Sequence, residues 1–253
     1  MPRAHRHYLP GLAWHITHRC HKQAFLLRFA RDRRCWRRWL YEARRRYGLC
    51  VLNYIATSNH IHLLVRDRGE GEIARSMQLI AGQTAQAYNR RKGRKGAFWE
   101  DRYHATAVEN GAHLARCLTY IDLNMVRAGV VNHPAEWEVS GYHEIQMPPG
   151  RYRIVDTTAL QEALGLASDH QLRESHAEWV TEALRADRVE RDARWSESLA
   201  VGSETFAREV KERLGILARA RDVCLEVDAA SLKEPMVPYG RDFGLKNGGL
   251  TRE

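Results

Sequence analysis

Within Ser58-Asn59-His60-Ile61-His62-Leu63-Leu64-Val65, polar and apolar positions alternate from His60 to Leu63 and an apolar run follows. The alternation predicts a strand, because successive side chains of a strand point to opposite faces. Ile61, Leu63 and Val65 then face a core, and His60 and His62 stand side by side on the other face. Residues 11–18 predict an earlier strand, with Leu12, Trp14, Ile16 and His18 on one face. Residues 31–47 predict a helix that turns Trp36, Leu40 and Ala43 inward and ends at Gly48. Its other face carries Arg33, Arg34, Arg37, Arg38, Arg44 and Arg45. Residues 50–57 predict a strand that pairs with the histidine strand as a hairpin. Residues 70–88 have helical spacing at Ile73, Met77, Ile80, Ala81, Thr84 and Ala87. A basic loop, residues 89–96, leads to a fourth strand over 103–109. A further helix spans 110–128, with Asn110 as its N-cap and Gly129 as its C-cap.

The order β-α-β-β-α-β-α is that of an α+β fold. Its first six elements match the ferredoxin-like pattern, a four-stranded antiparallel sheet with helices on one face. Residues 1–146 are expected to form this domain and residues 147–157, with Pro148-Pro149-Gly150, a linker. Residues 158–253 form a mainly helical extension, with helices near 158–166, 170–187 and 203–214 and a Gly/Pro-containing tail.

The net charge of +9 is unevenly spread. Residues 1–50 hold 13 Lys/Arg against 2 Asp/Glu, residues 51–150 hold 11 against 10, and residues 151–253 hold 16 against 19. A basic amino end suits a polyanion partner, although a solvated basic helix looks the same. Arg90, Arg91, Lys92, Arg94 and Lys95 add a compact basic loop suited to DNA backbone contacts. Phe98 and Trp99 are candidates for stacking on unpaired bases, with core packing as the plainer reading. The five cysteines lack Cys-x-x-Cys spacing, so neither a disulfide framework nor a cysteine zinc site is suggested. No apolar run reaches the ~20 residues of a membrane span. The first residues lack the apolar core of a signal peptide, so the expected location is cytoplasmic, with no membrane partner.

Tyr120 and Asn124 are i and i+4, neighbours on one face of the helix over 110–128. If that helix lies across the histidine face, the phenol and amide meet the two imidazoles. His60, His62 and Asn124 then make a three-ligand site for one divalent ion, Mg²⁺ or Mn²⁺, which could polarise a phosphodiester. The Tyr120 hydroxyl could attack phosphorus and form a covalent phosphotyrosine. Tyr120 as a packing residue is the plainer alternative, and Tyr88, Tyr103 and Tyr142 are rival nucleophiles, of which Tyr103, in a strand, and Tyr142, in an irregular region, are worse placed. His104 and His113 are candidates for further ligands or acid/base groups but read more simply as surface histidines, and of His15 and His18, on opposite faces of the first strand, one could approach the site.

His60-Ile61-His62 resembles the motif of the HUH single-tyrosine transposases, and Tyr120-Ile121-Asp122-Leu123-Asn124 resembles their Tyr-Ile-x-x-Asn helix. Phe98-Trp99-Glu100-Asp101-Arg102-Tyr103-His104 is similar to the segment that enters their fourth strand. The likeness is to the REP-associated tyrosine transposases, relatives of the small insertion-sequence transposases, and covers about residues 8–145. Met125 stands where many members have Pro. The resemblance implies metal-dependent nicking and joining of single-stranded DNA beside hairpins. It implies that Tyr120 takes the 5′ phosphate and releases a 3′ hydroxyl. It leans toward a monomer while leaving the oligomeric state open. Arg194-Trp195-Ser196-Glu197 and residues 239–244 resemble stretches of longer members.

Two other readings stand beside this one. A non-cleaving DNA-binding protein shares the basic surface and needs no metal. A zinc-dependent hydrolase uses His60 and His62 and requires a further His, Asp or Glu ligand.

Overall fold

Four antiparallel strands form the half of the sheet that carries the candidate site. They are β1 (Ala13–Arg19), β2 (Cys50–Ala56), β3 (His60–Arg66) and β4 (His104–Val108). The computed structural model describes residues 8–186, 191–226 and 228–233. Within the four strands the spatial order is β2-β3-β1-β4. Thr17 pairs with His62, and Ile55 pairs with His62 from the other side. This register places His15, Thr17, Asn53, His60, His62 and Thr106 on one face.

The opposite face is apolar and covered by two helices. Trp14, Ile16, Ile61, Leu63 and Tyr54 are buried there. Helix α1 (Ala30–Tyr47) sets Trp36 against Tyr54, with ring centroids 6.0 Å apart, and ends at Gly48 with φ +69°. Helix α2 (Glu72–Lys92) packs beside α1 and buries Ile73, Met77 and Ile80. It continues through Arg90-Arg91-Lys92, which the sequence reading placed in a loop; Gly93, at φ +59°, ends it. The helix persists because Arg91 reaches across to Asp32 of α1 and its guanidinium lies over Tyr88.

Helix α3 (Ala112–Asp122) lies on the histidine face. It starts two residues later than its sequence suggests. Gly111 turns at φ +73°, a conformation open to glycine, and donates its N–H to Ala163 O, so Asn110 caps nothing. Leu123 interrupts the helix, and a single turn, α4 (Asn124–Arg127), follows. The i→i−4 bonds Leu123 N→Thr119 O and Arg127 N→Leu123 O carry on across the interruption, so Asn124 stays one turn beyond Tyr120.

Among the described residues the sheet has seven strands, in place of the expected four. Beyond β4 come β5 (Ala200–Gly202), β7 (Ala230–Lys233) and β6 (Asp222–Leu225), with β5 parallel to β4. The carboxyl-terminal segment, expected to be mainly helical, therefore extends the sheet. Its helices are α5 (Tyr142–Gln146), α6 (Thr157–Leu164), α7 (Asp169–Arg185), α8 (Arg194–Glu197) and α9 (Glu204–Leu214). Asp156, Ser168 and Ser203 cap α6, α7 and α9 by accepting from backbone N–H groups. Residues 147–157, expected as a linker, are tied down at their end: Asp156 N donates to Val51 O, and the buried Glu144 carboxylate accepts from the N–H groups of Ile154 and Val155. One continuous core runs from Trp14 through Trp195 to Leu232. The expected Gly/Pro tail and the 239–244 stretch lie outside the described residues. No helix among the described residues is long and apolar enough to cross a membrane.

Candidate active site

Strand β3 presents His60 and His62, and α3 with α4 presents Tyr120 and Asn124. The helix and the strand face each other. The Tyr120 ring lies 5.9 Å from the His62 ring, centroid to centroid, and the Asn124 Nδ2 donates to His62 Nε2 at 2.9 Å. The His60 and His62 rings are 4.9 Å apart. All four groups named from the sequence line one cleft of about 350 Å³.

Hydrogen bonds fix which nitrogen of each imidazole carries the proton. The Trp195 carbonyl can only accept, so His15 Nδ1–H donates to it, at 2.8 Å. A neutral His15 then has a lone pair on Nε2, which lies 2.8 Å from His62 Nδ1. His62 Nδ1 therefore donates, and His62 Nε2 keeps its lone pair toward Asn124 and the cleft. Burial holds His15 neutral, pushing its pKa down to about 3. At His60, Nδ1 sits 2.7 Å from Asn59 Oδ1 and 3.0 Å from Thr57 Oγ1. The Thr57 hydroxyl already donates to His60 O, and the Asn59 amide nitrogen donates to Gln23 O. His60 Nδ1–H is thus the donor, and its Nε2 also keeps a lone pair.

Both imidazoles are held uncharged. Burial first, then Arg19 and Arg127, lower the His60 pKa to about 4. Burial first, then His60 and His15, push His62 well below its ordinary value. Two neutral imidazoles with fixed lone pairs are in the form that ligates a metal. The Asn124 amide has two ends of similar size, so one position can offer Nδ2 to an imidazole or Oδ1 to a cation. Burial raises the Tyr120 pKa, while Arg127 and Arg191 pull it down. The Arg127 guanidinium lies 4.1 Å from the Tyr120 ring centroid and donates to Tyr120 O at 2.8 Å.

Among the described residues, the cations of the cleft are Arg19, Arg127 and Arg191, and no carboxylate lines it. Sequence reasoning missed all three. The nine basic residues it singled out lie elsewhere. Arg33 packs on Trp137, Arg34 pairs with Glu138, and Arg91 pairs with Asp32, all around α1 and α2. Arg37, Arg38, Arg90, Lys92, Arg94 and Lys95 belong to those same helices and the loop after α2, and none lines the cleft. Phe98 is buried, and Trp99 stacks on His18 at 4.2 Å between centroids on the α1/α2 side. Of His15 and His18, it is His15 that reaches the site, where it holds His62. The rival tyrosines are elsewhere: Tyr88 packs on Phe98, Tyr103 on His18 and Tyr142 on His176. His104 bonds to Ser198 O, and His113 lies 3.6 Å from Glu109. Among the described residues, the further His, Asp or Glu that a zinc hydrolase needs has no counterpart in the cleft; His15, behind His62, has both nitrogens engaged.

Residues 9–124 match the family model described as transposase, IS200-like. A solved structure of a REP-associated tyrosine transposase bound to a REP hairpin is similar at 20% identity, with a TM-score of 0.49. That match covers 61% of this chain and 90% of the other. A crystal structure of a candidate transposase from Deinococcus radiodurans R1 is similar at 16% identity, with a TM-score of 0.34. It covers 47% of this chain and 95% of its own. No curated protein matches the sequence. The matched stretch contains β1 to β4, both histidines of β3, Tyr120 and Asn124. Residues 9–124 are therefore similar to the IS200-like transposase family over the part of the chain that carries the candidate site.

Proposed function

We propose that the chain nicks and rejoins single-stranded DNA beside hairpins, in the manner of HUH single-tyrosine transposases, with Tyr120 as the covalent nucleophile. The observation that carries this reading is the meeting of the Tyr120 phenol with two imidazoles whose Nε2 lone pairs face the same cleft. The donor set fits a divalent ion: two neutral nitrogens and one amide oxygen, held by His60, His62 and Asn124. When bound, Mg²⁺ or Mn²⁺ supplies Lewis acidity to the phosphodiester.

The chain's own residues account for the rest. Arg19, Arg127 and Arg191 give the cleft a positive field that attracts and seats a phosphate. Arg127 holds the Tyr120 ring by its face and its backbone carbonyl, limiting the nucleophile to one approach. In the transfer, the Tyr120 oxygen bonds to phosphorus and the bond from phosphorus to the 3′ oxygen breaks. The 3′ oxygen leaves as a hydroxyl, so the phenolic proton is balanced by the one it gains. Attack by a 3′ hydroxyl on the phosphotyrosine reverses the step and joins strands.

The test is incubation with Mn²⁺ and a hairpin-bearing single strand, followed by denaturing electrophoresis. A covalent adduct is expected with the native protein and none with Tyr120→Phe. Cleavage that survives Tyr120→Phe sinks the mechanism. Equal DNA affinity with and without chelator, and no adduct, would favour the non-cleaving DNA-binding reading instead.

A further inference from the structure

Tyr120 and Arg127 line a second cleft as well as the first. This one is larger, about 880 Å³, and lies between α3, α7 and the α8 region. That size falls within the roughly 300–1,000 Å³ of small-molecule sites. Its walls include Trp179, Trp195, Leu123 and Leu164.

The two clefts differ in charge. Among the described residues, the first cleft has three arginines and no carboxylate. The second has Arg116, Arg127 and Arg194 against Glu182, Asp192 and Asp228, which is neutral in sum. Two of its arginines are also paired with carboxylates: Arg194 bonds to Asp192 at 3.0 Å and to Asp228 at 2.8 Å, and Arg116 reaches Asp228 at 3.3 Å. A phosphate gains little in such a place. An uncharged planar heterocycle gains an aromatic wall together with hydrogen-bonding groups for its edge. Unstacked bases of single strands are bound in this way, by stacking and by edge contacts.

We propose that the second cleft takes an unpaired nucleobase of the DNA strand whose phosphodiester occupies the cationic cleft. The inference rests on the proposed function. It gives the carboxyl-terminal segment a task, because Trp179, Glu182, Asp192, Arg194, Trp195 and Asp228 all come from it. Tyr120 stands at the junction, so the base that enters is one beside the cleavage point. Trp179 is the main stacking surface, since it is half-buried whereas Trp195 is buried against Tyr120.

The experiment compares two probes of equal phosphate number, a random-sequence twelve-nucleotide single strand and a matched abasic strand, binding the full chain. Trp179→Ala is expected to weaken binding of the base-bearing strand by about fivefold to a hundredfold. Binding of the abasic strand stays unchanged, and Trp179→Phe keeps most of the affinity. An equal loss on both strands, or a loss on neither, overturns the proposal. A second measurement uses the native protein, so it does not depend on the variant folding. Strands carrying 5-iodouracil are photocrosslinked and mapped by mass spectrometry. Labelling at Trp179 or along α3 supports the cleft, and labelling confined to other surfaces overturns it. A Tyr120 adduct without a base-dependent effect removes this inference and leaves the proposed function standing. A base-dependent effect without an adduct does the reverse.

Discussion

Replacing His15 tests whether a buried hydrogen-bonded chain prepares the metal-ligating face. The chain runs from the Trp195 carbonyl through His15 to His62, with two contacts of 2.8 Å. In His15→Asn, the shorter amide can still donate to Trp195 O from near the position of Nδ1. It cannot reach His62, whose Nδ1–H is then buried and unpaired. A buried donor left without a partner costs about 1–3 kcal/mol of stability. The His62 ring is also free to turn or to change tautomer, which removes the directed lone pair. Loss of a partner behind a metal ligand typically lowers metal affinity about 10–100-fold. In His15→Gln, the amide oxygen reaches closer to His62 and should recover part of that loss. Calorimetric titration with Mn²⁺ measures the affinities, and metal-free DNA binding serves as the control. Nitrogen chemical shifts of the imidazoles in metal-free protein report the tautomer directly. A folded His15→Asn variant with native Mn²⁺ affinity, or a His62 protonated at Nε2 in the native protein, refutes the reasoning.

The other predictions concern stability, thiol chemistry and charge. Asp122 accepts from Asn53 Nδ2 at 3.0 Å and from His176 Nε2 at 2.7 Å, so His176→Leu should cost about 1.5–3 kcal/mol in urea unfolding. An unchanged midpoint would contradict that. Burial pushes the Cys20 thiol up to about 12, so at pH 8 only about one molecule in ten thousand carries the thiolate. Maleimide should therefore label the exposed Cys224 promptly and reach Cys20 only in denaturant; rapid native labelling of Cys20 would refute its burial. Arg19→Gln should weaken single-strand binding uniformly across sequences and lower the salt slope by about one. A sequence-selective loss would instead mean that Arg19 reads bases.

The site's first half was legible because its periods are local. His60 and His62 follow from strand alternation, and Tyr120 with Asn124 from one turn of helix. His15 was not legible, because its worth depends on Trp195, 180 residues away. The cleft arginines are isolated along the chain, whereas the arginine-rich stretches that attract notice serve α1 and α2. Strands β5, β6 and β7 are three or four residues long, too short to show a period. Pro148-Pro149-Gly150 has the composition of a linker, but the ties that hold Ile154, Val155 and Asp156 come from Glu144 and Val51. The seven-stranded sheet thus exceeds the four strands read from the element order.

The parallel seam between β4 and β5 has a practical consequence for anyone trimming the chain. Cutting after residue 150 would strip β4 of its neighbour and leave a row of bare backbone groups, which invites self-association. It would also remove the carbonyl that orients His15, so the shortened protein would lose the support behind His62 as well as solubility. What looks like a dispensable appendage is a brace, and any minimal version must replace both the missing edge and the missing acceptor.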